Sequence, residues 1–141
     1  MKIKSLMTSK VECIRPEATL EQAARRMRDL DVGPLPVCGD EDRLVGIVTD
    51  RDITIRAVAQ GMDPKTMLVR EVMTPSILYC FEDQDVEEAA RLMKEHQIRR
   101  LVVLNRQKKL VGIISLGDLA VETGDDLMEG ELVEAISQPA R

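Results

Sequence analysis

Two pairs of residues in this chain could do chemistry together: Thr49 with Asp52, and Ser115 with Asp118. Each is a hydroxyl followed three positions later by a carboxylate, and each closes a phrase that begins with an apolar strand pattern, "LVGIVTDRD" at 44–52 and "LVGIISLGD" at 110–118. A hydroxyl beside free N–H groups at a helix start is a ready anion site. A carboxylate on the first turn can accept the hydroxyls of a ribose, as acidic residues do in other nucleotide folds. Thr or Ser for phosphate and Asp for ribose would make a compact nucleotide grip. The same residues are also good helix-starting chemistry, a capping hydroxyl with its reciprocal carboxylate at the third position. Both readings stay open at this level. Gly46 and Gly112, three residues before each hydroxyl, relieve crowding inside a strand.

These phrases belong to a longer repeat. Residues 7–58 align with 73–124 at a constant offset of 66, without a gap, and 14 of the 52 positions are identical. The identities include Met7-Thr8 with Met73-Thr74, and Glu21, Ala23, Ala24, Arg25, Met27 with Glu87, Ala89, Ala90, Arg91, Met93. Fixed-period self-similarity of this kind marks a duplicated structural unit. The expected division is repeat 1 over 1–62, a linker over 63–68, repeat 2 over 69–124, and an acidic, weakly amphipathic helix or tail over 125–141.

Each unit carries the same element pattern. A short apolar segment ("VECI", "SILYCF") precedes a helix opened by Thr19 or Asp85, with Gln22 or Glu88 three residues on as a capping box. Apolar residues at Leu20, Ala23, Ala24, Met27 and at Val86, Ala89, Ala90, Met93 follow the spacing of one buried helix face. Two apolar runs then flank the polar turns "GDED" and "NRQKK", which predicts a hairpin in each unit. A second helix of repeat 1 is expected from about Asp50 to Gly61, the latter a C-terminal stop. The order β-α-β-β-α, written twice, predicts an α+β fold.

Composition narrows the function classes. Tyr79 and Phe81 are the only aromatics, so the stacking platforms used by single-stranded nucleic acid are missing. A net charge of −5 argues against a broad basic footprint for DNA or RNA. Local clusters at Arg25-Arg26, Arg99-Arg100 and Lys108-Lys109 still suit a small anion. No apolar run approaches the ~20 residues that span a bilayer, and the first residues carry no secretory pattern, so the expectation is a cytoplasmic protein away from the membrane.

Cys13, Cys38 and Cys80 are odd in number and never spaced C-x-x-C, which fits a reducing compartment. With His96 they number four zinc-ligand types, but they are scattered, and free buried thiols are far commoner than a metal site built that way. No metal site is therefore expected. His96 sits near a predicted helix end, where it complements the dipole. A redox role for Cys38 would need nearby positive charge, which its flanks "PVCGD" do not supply. Catalysis finds little support: there is one His, no nucleophile beside a base, no Walker-type loop and no G-x-G-x-x-G.

The G-x-x-[ST]-x-x-D phrase, the "LVGI" strand, the "MT" start and the "RRLVV" strand together resemble the CBS domain, named after cystathionine β-synthase. The resemblance covers about residues 3–124, and the whole is similar to small bacterial proteins made only of a CBS pair, or Bateman module. It implies two repeats packed sheet to sheet about a pseudo-two-fold axis, with clefts for AMP, ADP, ATP or S-adenosylmethionine. By position, Asp52 and Asp118 would bind ribose, Thr49 and Ser115 would meet phosphate, and the backbone near Thr8, Val11, Thr74 and Ile77 would line the adenine pocket. Arg99 and Arg100 are phosphate candidates, since guanidinium forks suit phosphate, against the plainer reading of a solvated strand edge. Their counterparts in repeat 1 are Gly33 and Pro34, so the two clefts cannot be equivalent. The resemblance further implies a regulatory module rather than an enzyme, a flat homodimer, and an unidentified client protein. The alternative is a dimeric scaffold that binds its partner without any ligand.

Overall fold

The computed structural model describes residues 1–75 and 78–123. The expected tail at 125–141 lies outside the described residues. The chain forms two compact units that are not consecutive halves: one is Glu12–Ile77, and the other joins Met1–Val11 to Leu78–Arg141. We call these the contiguous unit and the split unit.

In the contiguous unit, helix α1 (Leu20–Leu30) begins where the sequence places it. Thr19 Oγ1 accepts from Gln22 N at 3.2 Å while Gln22 Oε1 accepts from Thr19 N at 2.9 Å, a complete capping box. Its apolar face buries Leu20, Ala23 and Met27, and the helix ends at Asp31 in the left-handed region. Strands β1 (Pro34–Cys38) and β2 (Leu44–Thr49) pair antiparallel as the predicted hairpin. "VECI" contributes only a single parallel bridge, Ile14 to Val37. Helix α2 (Asp50–Ile53) continues through Thr54–Val58 with π-helical turns, seen in the Ala59 N to Thr54 O bond of 2.9 Å, and the chain turns at Gly61 with φ of 74°. A short α3 (Val69–Val72) buries Val69 and Val72 in the same core.

The split unit repeats the plan. β3 (Tyr79–Phe81) runs parallel to β4 (Arg100–Leu104), which pairs antiparallel with β5 (Leu110–Ser115). Helix α4 (Val86–His96) packs Ala89 and Met93 against Leu101 and Ile114, and α5 (Leu116–Thr123) follows β5 directly. The capping box expected at α4 is not formed. Asp85 occupies the N-cap without a side-chain cap, because Lys2 draws its carboxylate into an ion pair at 3.2 Å, and Glu88 is held by Arg91 instead.

The first residues complete this unit. Ile3 is fully buried among Cys80, Met93 and Leu101, and Ile3 N donates to Gln84 O at 2.8 Å. Thr8 and Ile113 exchange backbone hydrogen bonds at 2.8 and 3.0 Å. In the contiguous unit the matching exchange joins Thr74 to Ile47, at 2.9 and 3.0 Å. Each "MT" segment therefore pairs with the strand of the other sequence repeat. This close approach explains the repeated glycines: a Cβ on Gly46 would lie 2.7 Å from Thr74 O, and one on Gly112 would lie 2.8 Å from Thr8 O.

Candidate functional site

Both repeated phrases form strand-to-helix corners with the same hydrogen bonds. Asp52 Oδ2 accepts from Thr49 N at 3.0 Å, and Thr49 Oγ1 accepts from Asp52 N at 3.0 Å. In the split unit, Asp118 Oδ2 accepts from Ser115 N at 2.8 Å, and Ser115 Oγ accepts from Asp118 N at 3.1 Å. The capping reading of these four residues is thus realised in both copies. It does not exhaust them. A cap engages one carboxylate oxygen and leaves each hydroxyl its proton to donate. All four side chains are half-buried, so they remain reachable from one side.

The segment exchange decides which candidates meet. The contiguous unit brings Thr49, Asp52 and Thr74 together, since Thr74 pairs with Ile47 two residues before Thr49. Ile77 lies outside the described residues. The split unit brings together Ser115, Asp118 and Thr8, with half-buried Val11 at the end of the same N-terminal segment. Arg100 is the register partner of Ser115 across β4 and β5, and Arg99 O accepts from Leu116 N at 2.8 Å. Both arginines are therefore anchored by their backbones beside the corner that Ser115 and Asp118 form. Their side chains are exposed and make no ion pair among the described residues.

Sequence reasoning missed Arg56. Its Nη1 donates to Val72 O at 3.0 Å, and its Nε stands 4.0 Å from Asp52 Oδ1, a carboxylate only 16% exposed. The second oxygen of Asp52 thus faces a guanidinium, whereas the position matching Arg56 in the other repeat is Glu122. The signal was present as an i, i+4 acid–base spacing along the helix.

The cysteines divide between the units. Cys80 is buried in the split unit's core, and burial, followed by the charge of Glu88, pushes its thiol up to about 12. Cys13 and Cys38 are neighbours in the contiguous unit. Burial first, and then the nearby Cys13 thiol, raises Cys38 well above the usual thiol range, so Cys38 is not the activated thiol that a direct redox role requires. Among the described residues, no three His, Cys, Asp or Glu side chains converge on a metal position, and no helix is long and apolar enough to cross a membrane.

Comparison with known proteins places this geometry in a family. The CBS domain matches twice, over residues 3–58 and 69–123. Hypoxic response protein 1 of Mycobacterium tuberculosis is 39% identical over 136 residues, spanning 96% of this chain and 94% of that one. Its crystal structure, described with two coordinated zinc ions, superposes with a TM-score of 0.78 over 86% of this chain and 98% of that one. The CBS domain-containing protein YhcV of Bacillus subtilis is 40% identical over 135 residues, 96% of this chain and 94% of that one. CBSX2, solved in complex with AMP, is 28% identical with a TM-score of 0.73, covering 88% of this chain and 98% of that one. With two α+β repeats, the doubled glycine–hydroxyl–carboxylate corner and these relatives, the chain belongs to the CBS-domain family and is a CBS pair, a regulatory module by class.

Proposed function

We propose that this CBS pair senses an adenosine-containing nucleotide, and that the corner in the split unit takes its phosphorylated end. One observation carries the reading: Ser115, Asp118, Thr8 and the arginines at 99 and 100, which make no ion pair among the described residues, share one unit. Asp118 would accept the ribose hydroxyls through its uncommitted oxygen, and Ser115 would donate to phosphate. Arg99 and Arg100 would supply the charge-assisted hydrogen bonds. Thr8 and Val11 would lie along the base. The corner at Thr49, Asp52 and Thr74 has no cation at its strand start, since Gly33 and Pro34 stand there. Asp52 also already faces Arg56, so its second oxygen is the less free to accept a ribose hydroxyl. AMP leads the candidates because CBSX2, a relative at 28% identity, is solved with it. ADP, ATP and S-adenosylmethionine are the others. We read the protein as a regulator without catalysis, acting in the cytoplasm on a client protein, with no nucleic-acid or membrane partner.

Thermal unfolding of the whole chain with each nucleotide near millimolar tests this. A ligand at ~100 times its dissociation constant adds about 2.7 kcal/mol to the native state, on the order of ten degrees for a chain of this size. A shift with one nucleotide, lost in Arg99→Ala/Arg100→Ala, names the ligand and the corner together. No shift with any of them would favour the ligand-independent scaffold.

A homodimer is part of the proposal. Ile55 and Val58 on the π-helical turns, and Met62 just past the turn at Gly61, are large apolar side chains 47%, 59% and 50% exposed. Two-fold dimers are the commonest oligomers, and each pairs one surface patch with its own copy. Val58→Asp is expected to halve the mass seen by light scattering while leaving the far-ultraviolet spectrum unchanged. A wild-type chain that runs as a monomer at all concentrations would dispose of the dimer.

A further inference from the structure

The two corners share a hydroxyl and a carboxylate but not their surroundings. In the split unit, Asp118 commits Oδ2 to the Ser115 N–H and enters no ion pair among the described residues. In the contiguous unit, Asp52 commits Oδ2 to the Thr49 N–H in the same way, but its Oδ1 faces Arg56 Nε at 4.0 Å. Arg56 is itself held. Its Nη1 donates at 3.0 Å to Val72 O, a carbonyl of the last turn of α3, where helix carbonyls lack partners within the helix. By sequence, Glu122 takes the place of Arg56 in the other repeat, so this contact is no part of the shared corner.

The helix that carries Arg56 also differs from its counterpart. Thr54–Val58 forms π-helical turns with Arg56 at their middle, whereas α5 is α-helical over Leu116–Thr123. Turns of this kind are rare and are frequent at functional positions. Stability does not account for the contact, because a pair at 4.0 Å whose arginine side chain is 53% exposed contributes little. Its effect on a ligand is larger. A ribose held by Asp52 must use Oδ1, since Oδ2 is in the cap, and the guanidinium competes for the same lone pairs. Asp52 is only 16% exposed, so little of it is left to receive both.

We propose, resting on the nucleotide reading above, that Arg56 is a specificity-determining residue: it occupies the carboxylate of the contiguous corner and limits the protein to one adenine nucleotide per chain, bound in the split unit. The charge at position 56 sets the number of sites. The surroundings set what a freed corner accepts. Gly33 and Pro34 stand where the other repeat has Arg99 and Arg100, so the freed corner offers the Thr49 hydroxyl and the Asp52 carboxylate with no cation at its strand start. Its ligand class is the nucleoside rather than the nucleotide, and adenosine binds there as well as AMP does.

Calorimetric titration of the whole chain counts the sites. Wild type is expected to take one AMP per chain. Arg56→Gln keeps a donor for Val72 O but loses the charge, and it is expected to take two, the second site holding adenosine as tightly as AMP. Arg56→Lys, which keeps a charge, is expected to stay at one. Adding Asp52→Ala to Arg56→Gln is expected to return the count to one. A purely structural role for Arg56 would move the unfolding midpoint and not the count. Two AMP per wild-type chain, or one per chain in Arg56→Gln and Arg56→Ala alike, would overturn the proposal while leaving the nucleotide reading in place. So would weaker AMP binding by Arg56→Gln, since Arg56 would then be a phosphate ligand. No AMP on any form would overturn the nucleotide reading, and this proposal with it.

Discussion

Ile3→Ala is expected to destabilise the protein by about 2–5 kcal/mol, the range for emptying a fully buried aliphatic site. Ile3 sits in a short 3-10 turn, Ile3–Ser5, outside the sheet and the long helices. Here it has no exposed surface and is enclosed by the side chains of β3, α4 and β4. Deletion of residues 1–8 is expected to cost more, because it also removes the backbone bonds to Gln84, Glu82 and Ile113 and leaves those partners bare. Urea unfolding followed by fluorescent thiol labelling of Cys80 gives the magnitude. Hydrogen exchange gives the place: the amides of β4 and β5 should lose protection. Unchanged protection in β5 after the deletion would mean that the Thr8–Ile113 pairing carries no load.

Asp118→Ala is expected to weaken AMP binding by at least ~100-fold. Each charge-assisted hydrogen bond contributes about 1.5–3 kcal/mol, and a ribose presents two hydroxyls to one carboxylate. The same carboxylate caps α5, so alanine also removes about 1 kcal/mol of stability in the absence of ligand. Asp118→Asn separates the two roles. Its amide oxygen can still accept from Ser115 N, so stability should stay close to wild type, while the loss of charge should still weaken the nucleotide by roughly tenfold. Calorimetric titration with AMP reads the affinity, and the unfolding midpoint of the free protein reads the cap. An alanine variant that is less stable yet binds AMP as tightly as wild type would leave Asp118 a capping residue and nothing more.

What could be read from the residues was the part governed by short spacings. The doubled unit, the faces of α1 and α4, both hairpins and the two hydroxyl–carboxylate corners follow from periodicity and capping chemistry within a dozen residues. Choices made across long distances were not legible. Thr8 and Thr74 occur in the same local context, and nothing in that context says that each pairs with the other repeat's strand. The failed cap at Asp85 has the same origin, since the competing Lys2 is remote in sequence. The flanks of Cys38 contain no cation. Arg15, which lowers the Cys38 thiol as the weakest of its influences, reaches it only through the fold. Arg56 lay within local reach of Asp52, but its second partner, Val72 O, comes from a segment remote in sequence.

The split unit also has a history that its finished form conceals. A ribosome delivers Met1–Val11 first, then the contiguous unit, and only afterwards the strands that Ile3 and Thr8 require. Domains generally fold in the order in which they are made. Residues 12–77 are therefore expected to complete their core during synthesis, before β3, α4 and β4 exist to bury Ile3. Closing so long a loop costs only a slowly rising entropy, so the delay is a matter of time more than of stability. Of these segments, the earliest made is among the last to find its place.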